Sequence, residues 1–383
     1  VAGGLATAAI AAPVAAQTVP FHGAHQAGIT TPMQDQLYFA SFDLVATKRE
    51  DVVALLKSWT DASARLTAGQ PVQAGDSGEA DGLPPSGLTL TFGFGPELFV
   101  QNGQDRYGLA AKRPAALVDL PRYPGDQLVP GISGGALCVQ ACANDAQVAF
   151  HAVRQLARLG YGAVQLKWVQ SGFATARQSP GTPRNLMGFK DGTMNPAGAA
   201  MDKAVWVTQP GWMQGGSYMV ARRIRIALEH WDRMQVAFQE KTFGREKASG
   251  APLGGRHEFD TPDFNATDAN GDYVIPETAH ARLAAAANND GAQILRRSYS
   301  YNDGANFTAE RWPPWHQGIE YDAGLFFQAY QQDPRTGFMP IFDKLSKMDA
   351  LNQFTTHVSS AVFACPPGVR PGGYIGRELF EAA

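Results

Sequence analysis

A chain of 383 residues with 44% hydrophobic and 17% charged side chains can bury a large core and is not intrinsically disordered. Its net charge of −3, with no block of Lys and Arg, argues against a nucleic-acid surface or an anionic membrane partner and leaves a small-molecule function. Three cysteines, Cys138, Cys142 and Cys365, are too few for a disulfide scaffold, and the first two lack the usual zinc spacing, so buried thiols are expected.

The chain opens on "VAGGLATAAIAAPVAAQ", which is uncharged, rich in Ala and Gly, and too short and weakly apolar to span a bilayer. Residues 1–16 read as the remnant of a secretion signal, with mature protein expected to begin near Gln17. Beyond it, "QLYFASFDLVA" predicts a strand and "REDVVALLKSWTDASARL" an amphipathic helix. "GLTLTFGFG" and "ALCVQACA" predict strands, and "DAQVAFHAVRQLARL" predicts a capped helix leading into the strand "AVQLKWVQSGF". That order is β-α-β-β-α-β, and it recurs from residue 205. "VWVTQ" and "GSYMVARRIRIAL" are strand-like, and "EHWDRMQVAFQEKTF" is helical. "ILRRSYSYND", "GLFFQAYQQD", the helix "FMPIFDKLSKMDALNQF" and a short strand "SAVFACP" follow. The expected fold class is α+β, two ferredoxin-like units with helices on one face of each sheet. The units are 17–180 and 205–383, joined by a loop and linker at 181–204.

Two irregular segments invite a functional reading. "NLMGFKDGTMNP" sets Asp191 among Gly188, Gly192 and Pro196, residues that shape backbone; an ordinary Asp-Gly turn is the alternative. An insertion of about fifty residues, Gly244 to Gln293, is long for a structureless loop in a compact domain, and such loops are usually functional or disordered. Within it, "IPETAHARLAAAA" places His280 in a helix-like patch, where it reads either as a solvated loop histidine or as a metal or haem ligand. Among the other histidines, His151 is accounted for by helix packing, His230 begins a helix, His257 lies in a Gly-rich turn, and His357 reads as a satisfied core residue. No HExxH or clustered His/Cys set occurs, so a structural zinc site is not expected.

Taken in order, these segments resemble the dye-decolourising peroxidases. "GFKDGT" is similar to their GxxDG signature, and "IPETAHARLA…ILRRSYSY" is similar to the segment carrying their proximal histidine and distal arginine. "FHGAHQAGITTP", "CANDAQVAFHAVRQLARL", "REKASGAPLGG" and "HEFDTPDF" extend the resemblance over nearly the whole chain after the leader, toward the exported deferrochelatase/peroxidase subgroup.

The resemblance implies a dimeric α+β barrel-type haem peroxidase with one haem b per chain, held mainly by the second unit. It implies His280 as the iron ligand and Asp191 and Arg296 as the residues facing peroxide. Gly192, Thr193 and Met194 would lie against the cofactor. Arg296 is preferred to Arg297 because the first arginine of the family's pair is the distal one, and neighbouring strand residues point to opposite faces. Arg297 is expected to meet solvent, a carboxylate or a propionate. Several relatives carry Asn-Pro-Arg shortly after the ligand histidine, where this chain has Ala285-Ala286-Ala287, which leaves the propionate contacts open. Asp349 is the expected carboxylate partner of His280.

The implied substrates are hydrogen peroxide with dyes, phenolics or ferrous iron, and the alternative activity is release of iron from haem with the porphyrin intact. The implied partners are components of an iron-uptake system, and a homodimer is compatible; neither nucleic acid nor stable membrane insertion is expected. Export is expected by the twin-arginine route, because a protein loaded with its cofactor before transport crosses folded. Cleaving peroxide requires a proton to move from one oxygen to the other while negative charge develops on the leaving oxygen, which suits a carboxylate beside a fixed guanidinium. A guanidinium favours the ionised form of a neighbouring carboxylate, so activity is expected to favour acidic pH. Trp212, Tyr218, Trp312, Trp315 and Tyr321 are read first as packing residues and second as electron relays.

Overall fold

The computed structural model describes residues 17–72, 75–175, 181–309 and 317–381. Among the described residues, ten strands form one sheet: β1 (Gln36–Leu44), β2 (Thr89–Phe94), β3 (Leu137–Ala143), β4 (Val164–Phe173), β5 (Ser217–Ile226), β6 (Leu295–Arg296), β7 (Tyr299–Ala309), β8 (Gln317–Gln331), β9 (Thr355–His357) and β10 (Ala361–Cys365). In the first half the spatial order is β4-β1-β3-β2. In the second it is β7-β8-β5-β10, the same antiparallel arrangement. Each half is therefore a ferredoxin-like unit, as the repeat in the sequence predicts.

The units are joined edge to edge. Ala364 of β10 pairs with Phe94 of β2, and Phe173 of β4 pairs with Ser300 of β7. The two seams close a barrel. The interior is filled by Phe39, Trp168, Tyr299, Phe326, Tyr330 and Phe363 together with all three cysteines, which are free and buried as expected. The first unit's helices, Arg49–Thr67 and Ala146–Leu159, cover its outer face, so β2 and β3 are buried along their whole length. Asp145 caps the second helix by accepting hydrogen bonds from the Gln147 and Val148 amides, an arrangement worth about 1 kcal/mol.

Three sequence expectations need correction. Val205 ends a helix, Gly198–Val205, and Val207 then closes a turn with Gly215 and Gly216, so "VWVTQ" is not a strand. The helix expected over 229–243 is broken into Leu228–Trp231 and Val236–Phe243, with Gln239 donating across the break to the Trp231 carbonyl. His357 is not a satisfied core residue: its Nδ1 is buried without a hydrogen-bond partner, and burial followed by the charge of Arg222 holds its pKa well below the ordinary value. Trp212 packs on Phe99 and donates to the Lys112 carbonyl, and Tyr218 is buried, in line with the packing reading. The leader, Trp312 and Trp315 lie outside the described residues. Among the described residues, no helix is long and apolar enough to cross a membrane.

Candidate active site

The segment around Asp191 folds as a small hairpin in which Arg184 and Lys190 face each other. Asn185 stabilises its tip by accepting hydrogen bonds from the amides of Met187 (3.0 Å) and Phe189 (3.2 Å). Gly188 and Gly192 occupy φ of +86° and +116°, conformations in which a side chain is strained. Met187 and Phe189 turn inward onto a small cluster with Trp231 and Phe243. Lys190 and Asp191 are thereby left to partners outside the hairpin.

Asp191 Oδ1 accepts a hydrogen bond from Arg296 Nη1 at 2.8 Å, with 18% and 26% of the respective side chains exposed. Arg296 is held by its backbone on both sides. It pairs with Ala329 of β8, while the Asn195 side chain receives its amide (3.1 Å) and donates to its carbonyl (2.8 Å), imitating a strand. The pair borders a cavity of about 330 Å³ whose lining includes Ile29, Gly192, Asn195, Met201, Phe259 and Leu295. Arg297 departs from expectation. It is buried, and it donates to the Thr31 carbonyl and the Gln34 side chain rather than to solvent or a carboxylate. The segment 31–34 packs there and supplies the acceptors.

His280 begins a five-residue helix, His280–Ala284, at the end of the long insertion. Gly244 approaches the start of this helix so closely that a Cβ there would lie 3.2 Å from Ala279 Cβ. Arg282 fixes the insertion by donating to the carbonyls of Phe264 and Ile275. His280 Nδ1 lies 2.5 Å from Asp349 Oδ2, and Asp349 Oδ1 accepts the Leu351 amide. The carboxylate fixes Nδ1 as the protonated nitrogen and leaves Nε2 with a lone pair for a metal. His280 does not line the cavity beside Asp191. Phe243 links the two groups, stacking on Phe189 at 4.0 Å and standing edge-on to His280 at 6.1 Å.

Of the residues expected against a cofactor, Gly192 lines the cavity and Met194 is 55% exposed. Thr193 donates to Glu258 Oε1 at 3.1 Å. Glu258, on the insertion, also binds Lys190, so it pins the acid loop at two points. Burial works against its charge, but hydrogen bonds from Lys190, Thr182 and Thr193 outweigh burial and hold its pKa below the ordinary value.

Asn195, Glu258 and Arg245 are additions that sequence reasoning missed, although all three fall within segments it singled out. Arg245 donates from Nη1 to the Gly250 and Glu258 carbonyls, and its buried Nη2 has no hydrogen-bond partner. Burial and then the charge of Arg296 lower its pKa. A buried cation with a spare N–H, an imidazole oriented by a carboxylate and an exposed methionine side chain together fit an anionic, largely apolar metal-bearing cofactor.

Fold and site define a class: an α+β barrel of two ferredoxin-like units with a guanidinium–carboxylate pair at a cavity and a carboxylate-oriented histidine nearby. Comparison with known proteins narrows it. Residues 26–174 match the family model described as Dyp-type peroxidase, N-terminal, and residues 182–370 match Dyp-type peroxidase, C-terminal. The chain is 39% identical over 389 residues to the dye-decolorizing peroxidase of Thermobifida fusca (strain YX), covering 96% of this chain and 86% of the relative. It is 36% identical over 385 residues to the deferrochelatase of Escherichia coli (strain K12), covering 94% and 87%. The crystal structure of a DyP-type peroxidase from Streptomyces coelicolor superimposes with a TM-score of 0.89 at 41% identity, covering 96% of this chain and 98% of the other. The chain belongs to the Dyp-type peroxidase family, and it is an oxidoreductase acting on peroxide.

Proposed function

We propose that this protein is an exported haem b peroxidase that uses hydrogen peroxide to oxidise dyes, phenolics or ferrous iron. The observation that carries the reading is the Asp191–Arg296 pair: a carboxylate and a fixed cation, held from opposite directions at the edge of one cavity. His280 would ligate the iron through Nε2. Gly192, Thr193 and Met194 would lie against the macrocycle, and Arg245 would meet its anionic edge. When bound, the haem supplies the redox centre that receives oxidising equivalents from peroxide and returns them to the reducing substrate.

The remaining work falls to the chain. Arg296 holds Asp191 Oδ1, and Oδ2 is the oxygen available to take the proton from one peroxide oxygen and return it to the other. The other guanidinium N–H groups of Arg296 donate to the negative charge that develops on the leaving oxygen. Asp349 keeps His280 in one tautomer and raises its donor strength. Export belongs to this reading and is supported by the composition of residues 1–16, and the twin-arginine route follows from loading of the cofactor before transport; fractionation of cells carrying the whole coding region tests it.

The direct test of the site is His280→Ala, which should fold with native far-UV circular dichroism and fail to retain haem after gel filtration. Retention of a stoichiometric haem with an unchanged Soret band would overturn the ligand assignment. A second reading, release of iron from haem with the porphyrin intact, is favoured by the similarity to the Escherichia coli deferrochelatase. Anaerobic incubation with haem, followed by fluorescence assay of free protoporphyrin, decides it.

A further inference from the structure

Far from this site, on the outer layer of the first unit, three potential ligands converge. His151 lies in the middle of the Ala146–Leu159 helix and is 4% exposed. Its Nδ1 is 3.1 Å from Glu79 Oε1, and its Nε2 is 3.5 Å from Asp76 Oδ1. One ligand atom from each residue can be chosen so that all three lie within 4.8 Å of one another. We propose that Asp76, Glu79 and His151 form a binding site for a first-row divalent cation such as Zn²⁺ or Mn²⁺, which staples the 76–79 loop to the helix.

His151 stands at ion-pair distance from both carboxylates, but its Nδ1 is not aligned with them as a hydrogen-bond donor. Despite the 3.1 Å approach, His151 Nδ1 is buried and makes no hydrogen bond, and Glu79 Oε2 is likewise buried without a partner. Two ligands of one ion point at the ion rather than at each other, so they come close without aligning as donor and acceptor. Tetrahedral metal–ligand bonds of about 2.0–2.2 Å place ligand atoms about 3.3–3.6 Å apart, so ion binding must draw the 76–79 loop and the helix together by up to about an ångström.

The loop is already positioned for it. Gln147 donates to the Glu79 carbonyl, Gln155 binds Ser77, and Asp76 is fixed by the amides of Val72 (2.8 Å) and Gly78 (2.9 Å). Arg154 donates to Glu79 Oε1 from a half-exposed position and offsets part of the charge of the two carboxylates. An adjoining cavity of about 190 Å³, lined by Asp76 and His151 with Gln70 and Asp81, has room for the waters that complete a coordination shell at about 30 Å³ each. An imidazole with two carboxylates suits zinc or manganese better than calcium or magnesium, which prefer all-oxygen sites. Helix and loop meet here from distant parts of the sequence, so the local spacings that reveal zinc motifs are silent.

The test uses the haem-loaded protein freed of loose metal with EDTA, titrated calorimetrically with Zn²⁺ and separately with Mn²⁺. Wild type should bind one ion per chain at this site and gain melting temperature. Glu79→Gln and His151→Gln should each weaken binding roughly tenfold or more. Asp119→Asn, at an exposed ion pair with Arg113 outside the cluster, should bind as wild type. Glu79→Gln alters a partly exposed loop residue and keeps the test meaningful if the helix variant fails to fold. Anomalous diffraction at the zinc edge should place the ion within bonding distance of His151. Absence of a stoichiometric site, or affinity unchanged in both ligand variants, would overturn the proposal. So would wild-type stability that follows protonation of His151 and responds to neither ion, since the histidine would then be a charged clamp.

Discussion

Arg296 meets Asp191 with 26% and 18% of the two side chains exposed, whereas Arg222 meets Asp126 with 0% and 1% exposed. The contact chemistry is the same, and the surroundings are opposite. Arg222 lies over the rings of Phe342 (4.7 Å) and Tyr123 (5.5 Å), and Asp126 also accepts the Tyr123 amide. Burial lowers the Arg222 pKa, and its Nε and Nη1 have no hydrogen-bond partner. A substrate cannot reach that pair, so its contribution is to order the packing between β5 and the 123–126 turn. The Asp191 pair is supported just as firmly but faces a cavity. A guanidinium–carboxylate contact is therefore not evidence of a site. Access, together with a carboxylate oxygen that has no hydrogen bond from the described residues, is what separates the two.

Substitutions at each pair sharpen the contrast. Asp191→Asn should lower the rate of peroxide consumption by about 10² to 10⁴-fold, the usual scale of acid–base catalysis, while haem content and melting temperature stay near wild type. Stopped-flow mixing with peroxide measures this, and an unchanged rate would reduce Asp191 to a loop-ordering role. Arg296→Leu should cost about 10² to 10³-fold for loss of one preorganised donor, again without loss of haem.

Asp126→Ala should do the reverse. Removing one partner of a buried pair costs about 3–5 kcal/mol of stability, readable by urea denaturation, while turnover per haem in the folded fraction is retained. If Asp126→Ala lost activity without losing stability, the distinction between the two pairs would fail.

The smallest effect is expected at Glu258, which acts on Asp191 only by holding the loop. Its folded pKa is lowered, so its stabilising contribution is fully present above the ordinary carboxylate value of 4.5 and is lost as pH falls through the lower folded value. Glu258→Gln should cost about 1 kcal/mol at neutral pH, and the difference from wild type should vanish in strong acid. Melting curves recorded down the acid range test the sign.

Much of this site is legible in the sequence, for reasons that differ from residue to residue. Asp191 was marked by the glycines around it, because a backbone needing φ of +86° and +116° at Gly188 and Gly192 leaves a compositional trace. His280 stood in a segment too long to be an idle loop, and the resemblance to a known family singled it out together with Arg296. Asp349 was chosen because a ligating histidine needs an acceptor, and it lies 2.5 Å from Nδ1. The environment of Arg297 was misread because alternation along a strand says that it faces away from Arg296 but not what waits on the other side.

By itself the sequence determined the repeated β-α-β-β-α-β order, because hydrophobic periodicity and caps act within a few residues of one another. It also determined which residue types are available for proton transfer and metal ligation. Only the tertiary structure decided which strands meet at the two seams of the barrel, that Asn195 completes the strand carrying Arg296, and that Glu258 reaches the acid loop from the insertion. It alone brought His151 to Asp76 and Glu79. The physical reason is common to all of these: each contact joins segments far apart in the chain, and its energy depends on packing and burial, which exist only after the chain has folded.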